Sequence, residues 1–205
     1  TSRLDADRVG LGQGVTCLVD AGSSGAVTID AFPRVVHETQ RTPVYGLVNV
    51  GSPGLPNLGG GHSSRPELVS LAATVEAVER HAGWVRGIKV QASSSHAGMF
   101  GIEAVKIARK AADLTGLPVM AHIGNAPPVL DETLSLLQPG DIITHAYHGK
   151  IGGALSRHGE ALPALREAID RGVIVDIGHG RSSFSFATCE QAIAEALPVQ
   201  TISTD

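Results

Sequence analysis

The chain has 205 residues, 42% hydrophobic and 18% charged, with a mean hydropathy of +0.12, a profile that argues for a substantial core and against disorder. A net charge of −4, a pI near 6.1 and 3% aromatic residues give no electrostatic footprint or stacking platform for nucleic acid and no attraction to an anionic membrane. No apolar run nears the ~20 residues of a membrane span, no signal-peptide pattern opens the chain, and Cys17 and Cys189 lack a CxxC spacing, so a cytoplasmic protein with reduced thiols is expected.

In chain order, residues 15–20 (VTCLVD) are a β-rich run closed by the turn-prone AGSSGA, which predicts a buried strand and a loop. A helix is predicted over 28–39, with Val35 and Val36 on its apolar side, then a strand over 44–50 (VYGLVNV). The Gly/Pro/Ser-rich loop over 51–65 has a length usually associated with function or mobility. Residues 66–82 read as a helix, with Ser64 as its cap, Pro66 and Glu67 in the first turn, and Leu68, Leu71, Val75 and Val78 at helical spacing. A strand over 85–92 (VRGIKVQA) precedes a helix over 101–115, which places Ile102, Val105, Ala108 and Ala112 on one face and Lys106, Arg109 and Lys110 on the other. The alternation continues with strand 118–123, helix 130–137, strand 141–146, helix 162–171, strand 173–177, helix 189–196 and strand 199–204.

Strands alternating with helices pair in parallel through crossover helices. An open sheet gathers its chemistry at one switch point, whereas a barrel draws on every strand end. Awkward residues lie at most strand ends here, so the expected fold is α/β, an incomplete TIM-like (β/α)8 barrel with strands 2 to 8 present. The first strand is expected upstream of Thr1, and residues 1–205 are expected to be one barrel domain truncated at both ends.

Lys89 sits inside an apolar run, where an ammonium either loses its proton or finds a strong partner. Two routes stay open: a neutral nucleophilic amine that forms a Schiff base, or an amine carboxylated by carbon dioxide into a metal-bridging carbamate. His122 and His145 end two further apolar runs, and Asp205 ends TISTD. A single histidine in such a run is more often a hydrogen-bonded core residue. A Lys, two His and an Asp on four separate strand ends look instead like a zinc site, because zinc prefers nitrogen and carboxylate ligands.

The strings GVTCLVDAGSSGA, RGIKVQAS, PVMAHIGNAPP, DIITHAYHGK, RGVIVDIGHGRSSFSF and PVQTISTD carry a family likeness. The pattern resembles the amidohydrolase superfamily, and within it the amidohydrolase/deacetylase, dihydroorotase-like metallohydrolases. The resemblance implies Lys89 as the carboxylated lysine bridging two Zn2+ ions, His122 and His145 as metal ligands, and Asp205 as both ligand and catalytic acid/base. It also implies a His-x-His pair at the end of the first strand and a small β domain; the nine histidines contain no such pair. The implied activity is hydrolysis of an amide or ester bond in a small acylated metabolite, an N-acyl amino acid or an acylated hydroxy acid, by a metal-activated hydroxide. Cyclic-amide hydrolysis and deamination are the alternatives within the superfamily. A Schiff-base lyase using Lys89 and an inactive binding barrel are the alternatives outside it.

Around this set, His179 in DIGHG is placed to orient substrate or stabilise an oxyanion, and Arg181 to bind a substrate carboxylate. Tyr147 and His148 are expected to support His145, and His96 in SSSHAG to support the site or touch substrate. A solvated loop residue is the simpler reading of His62, and His37, His81 and His158 read as structural. A homo-oligomer acting on a small molecule is expected.

Overall fold

β-Branched and aliphatic residues dominate the runs that become strands, and in the computed structural model, which describes residues 5–34, 40–55 and 63–205, these runs pair edge to edge in sequence order. Among the described residues the six strands are β1 (Leu18–Asp20), β2 (Val44–Asn49), β3 (Val85–Ala92), β4 (Val119–Ile123), β5 (Ile142–Thr144) and β6 (Ile174–Val175). Every neighbouring pair is parallel, which gives an incomplete, curled half-barrel of the α/β class. Its helices are α1 (Ala6–Val9), α2 (Leu71–Arg80), α3 (Ser94–Ala97), α4 (Ile102–Thr115), α5 (Leu130–Leu136), α6 (Pro163–Asp170) and α7 (Phe186–Ala194). Among the described residues no helix is long and apolar enough to cross a membrane.

The core lies between sheet and helices. Ile88, Val90, Val119, Ala121 and Ile143 are buried, and α4, packed on β3 and β4, brings Ala104, Val105, Ala108, Ala111 and Ala112 to the same core. Alanines on that face let the helix approach the sheet closely.

Besides β1, which is shortened to Leu18–Asp20 and leaves Val19 55% exposed where the sequence predicts a buried strand over 15–20, three elements depart from the sequence reading. The helix expected over 66–82 is split into a 3-10 turn (Pro66–Leu68) and α2, because Val69 turns extended to bridge Gly51. The cap of α2 is therefore Ser70, whose side chain accepts from the Ala73 N–H at 3.2 Å, and not Ser64. The helix expected over 28–39 opens as a 3-10 turn (Ile29–Ala31) and stays helical through 32–34, where 33–34 take the wider π form, while Val35, Val36 and His37 lie outside the described residues, as do residues 56–62 with His62.

The third departure is the run 199–204, which forms a single parallel bridge, Thr201 to Asp176, instead of a seventh strand. Its carbonyls still receive the N–H groups of Ile177, His179 and Gly180, from Thr201, Ser203 and Thr204 at 3.0, 2.8 and 3.0 Å. The Ser203 N–H turns to the Asp176 side chain, so a side-chain bond is interleaved with these backbone bonds.

Candidate active site

The C-terminal ends of the strands carry polar side chains in an apolar sheet, and the register aligns them: Asn49 with Lys89, Gln91 with His122, His122 with Thr144. Asn49 Nδ2 donates to the Gly22 carbonyl at 2.9 Å and to Gln91 Oε1 at 3.2 Å, while its Oδ1 accepts from Gly51 N at 2.9 Å. These bonds fix the strand ends before any ligand arrives.

Lys89 is only 4% exposed. Burial pulls its pKa down to about 8 against the opposing fields of Asp205, Asp176 and Asp20, so the neutral amine becomes accessible near neutral pH. The loop after β1 packs directly on its stem: a Cβ at Gly22, which has φ +88°, would overlap Lys89 Cβ and Cγ.

His122 and His145 meet edge to face with ring centroids 4.3 Å apart, and His96 reaches the other side of His122 at 5.0 Å. Burial, followed by the neighbouring His145, Lys89, His96 and Lys150, holds the His122 pKa far below the ordinary imidazole value. Burial also lowers that of His145. Both rings are thus neutral, the form that binds a cation.

His145 has φ +66°, a left-handed backbone that presents its ring to the Gly178 carbonyl, 2.6 Å from Nδ1. An imidazole nitrogen facing a carbonyl must carry the proton, which leaves the Nε2 lone pair free. Gly178 is obligatory for this arrangement: its φ is +49°, and a Cβ there would overlap Thr144 Oγ1 and crowd His145 Nδ1.

His148 shows the opposite protonation. Its Nδ1 accepts the Lys150 N–H at 3.1 Å, so the proton sits on Nε2, a buried atom with no hydrogen-bond partner. Burial, then Lys150 and His145, lowers its pKa to about 4. It offers no lone pair in this pose. Tyr147 is fully buried and its hydroxyl donates to the Pro198 carbonyl at 2.5 Å, which makes it a tie within the core. Burial raises its pKa.

His179 is exposed and stacks on Phe184, with centroids 5.2 Å apart, and Arg181 is exposed. His96 Nδ1 lies 3.0 Å from Ser95 Oγ. His81 pairs with Asp30 at 2.7 Å far along the chain, as a structural residue would. Asp205 has φ +62° and sits with Oδ2 over Gly180, close enough to Lys89 and His145 for its charge to raise the pKa of both.

Among the described residues no group of three or more His, Cys, Asp or Glu side chains is gathered closely enough to hold a metal ion. His122, His145 and Asp205 lie within that count and do not form such a group in this structure; together with Lys89 they supply donor chemistry only, two neutral imidazoles, a lysine able to lose its proton and a carboxylate. A divalent cation fits that set of donors.

Sequence reasoning missed Asp20, Asn49, Gln91, Thr144 and Asp176, all at strand ends around the same mouth. Asp176 was the most legible: a carboxylate closing the apolar run VIVD is as awkward there as Lys89 is in its own strand.

Parallel strands with titratable side chains at their C-terminal ends define a barrel-type α/β protein with its chemistry at the top of the sheet. No protein-family model matches the sequence. The chain is 35% identical over 201 residues to a protein named Deacetylase Atu3266 from Agrobacterium fabrum, covering 96% of this chain and 48% of that one. It superposes on a crystal structure of an adenine deaminase with a TM-score of 0.92 at 34% identity, covering 97% of this chain and 54% of that one. With a crystal structure of a dihydroorotase the TM-score is 0.84 at 35% identity, covering 94% and 50%. The chain belongs to the amidohydrolase superfamily, and it spans about half the length of the curated relatives it matches.

Proposed function

We propose that the whole protein is a metal-dependent hydrolase that cleaves an amide or ester bond in a small acylated metabolite, an N-acyl amino acid or an acylated hydroxy acid. The observation that carries this reading is the pair of neutral imidazoles, His122 and His145, meeting at 4.3 Å beside buried Lys89 and under the field of Asp205. The deacetylase names of its relatives favour acyl transfer to water over the other reactions of the superfamily.

In this reading Lys89 (as its carbamate), His122, His145 and Asp205 would hold divalent ions, with zinc the metal their chemistry favours. Bound there, the metal supplies a Lewis acid that polarises the acyl carbonyl and makes water acidic near neutral pH. The residues do the rest. The depressed pKa of Lys89 provides the neutral amine that carbon dioxide requires. The Gly178 carbonyl keeps the His145 proton on Nδ1, so Nε2 is always free to ligate. The Asp205 carboxylate takes the proton from the attacking water and returns it to the leaving nitrogen or oxygen as the acyl bond breaks.

Lys89→Ala and His145→Asn in the whole protein are expected to strip most of the bound divalent metal and lower turnover of acylated amino and hydroxy acids by roughly a thousandfold or more. Metal content by elemental analysis that matches wild type in both variants would overturn the assignment. The lowered pKa of Lys89 also favours a second reading, a Schiff-base lyase. Borohydride trapping of a carbonyl substrate on Lys89, with activity indifferent to chelators, would select it.

A further inference from the structure

Asp176 follows β6 directly and is 1% exposed, so its carboxylate is satisfied by the protein and not by water. Burying a carboxylate is costly unless its acceptor sites are filled. Four donors fill them. Oδ2 accepts from Thr144 Oγ1 at 2.6 Å and Ser203 Oγ at 2.7 Å, and Oδ1 accepts from Thr201 Oγ1 at 2.7 Å and the Ser203 N–H at 3.2 Å.

The positions of these donors matter more than their number. Thr144 immediately precedes His145, whose left-handed backbone aims its ring. Thr201 and Ser203 lie on the segment that carries Asp205; backbone bonds to Val175, Ile177, His179 and Gly180 run along it, and the Asp176 side chain supplies its side-chain anchor. One carboxylate therefore holds both the residue before an imidazole of the site and the tether of its acid/base.

The structure assigns to Asp176 a positioning role in the proposed reaction: its carboxylate sets Asp205 and His145 relative to each other without touching substrate. This inference rests on the hydrolase reading. In the whole protein, Asp176→Asn is expected to lower kcat by roughly 10- to 100-fold with KM within about twofold, because loss of alignment penalises the transition state more than binding. The Ser203 amide, whose acceptor changes from a charged carboxylate oxygen to a weaker neutral amide oxygen, is expected to exchange its hydrogen faster. Combining Asp176→Asn with Ser203→Ala is expected to cost less than the product of the two single losses, since both cut one network. Where Asp176→Asn fails to fold, Thr201→Val and Ser203→Ala leave the carboxylate in place and are expected to lower kcat by about three- to tenfold each, again at constant KM.

An unchanged kcat, a loss confined to KM, or strictly multiplicative losses in the double variant would overturn the inference. An Asp205→Asn variant as active as wild type would defeat the hydrolase reading itself, and the positioning role with it. An inactive Asp205→Asn beside a fully active Asp176→Asn would defeat the positioning role alone.

Discussion

At the scale of the residue, whether a buried imidazole is a ligand or a strut depends on which ring nitrogen holds the proton. Neighbouring backbone decides it: a carbonyl at 2.6 Å from His145 Nδ1, an N–H at 3.1 Å from His148 Nδ1. Gly178 is therefore the residue whose loss should hurt both folding and the site. Gly178→Ala is expected to cost roughly 2 to 3 kcal/mol in urea unfolding, from a left-handed φ and an overlap with Thr144, and to weaken metal binding through His145. Stability and metal content both equal to wild type would contradict it. Lys89, His122 and His145 were legible in the sequence because a charge or an imidazole is conspicuous in an apolar run. Asn49 was not, because an Asn at a strand end also reads as the start of a turn, and only tertiary partners reveal which it is. Ring protonation was invisible for the same reason, since both hydrogen-bond partners come from the folded backbone.

At the scale of the element, the βα rhythm fixed most boundaries to within a residue or two, as at α4 and β3, where helical or apolar periodicity is uninterrupted. It failed at 66–82, since Leu68 and Leu71 keep helical spacing across Val69, and periodicity has no knowledge of a bridge to Gly51. Ser70→Ala is accordingly expected to destabilise by about 1 kcal/mol in chemical denaturation, the usual worth of a helix cap. A stability equal to wild type would return the cap to another residue. The opposite end of the sheet has its own pin. Asp141 begins the β5 run, is 2% exposed on its side chain, and accepts from Arg109 at 2.5 Å, from Val119 N at 2.7 Å and from Gln138 N at 2.7 Å. It ties α4, β4 and β5 together at the face away from the site. Asp141→Ala strands a nearly buried guanidinium and two N–H groups, so a loss of about 3 to 5 kcal/mol is expected by denaturant titration. A loss under ~1 kcal/mol would mean that Arg109 is adequately served by Asp113, 2.9 Å from its Nε.

At the scale of the whole molecule, the curled sheet is open at both margins among the described residues: β1 pairs only with β2, and the 199–205 tether only with the end of β6. These margins are apolar where they meet solvent. Val19 is 55% exposed in β1 and Ile202 is 75% exposed in the tether. A strand edge with unpaired N–H and C=O groups beside exposed aliphatic side chains is a template for another strand. The chain also spans about half of its curated relatives, so in a longer protein other residues are available to cover these margins. Residues 1–205 produced alone are therefore expected to elute in size-exclusion chromatography well above their 21.1 kDa mass and to bind a hydrophobic dye. Val19→Lys should reduce that association, because a charge on an open edge strand opposes edge-to-edge pairing. Elution of the unmodified chain as a dye-silent monomer would show that curling alone protects the margins, and the barrel would then owe less to closure than its exposed valine and isoleucine imply.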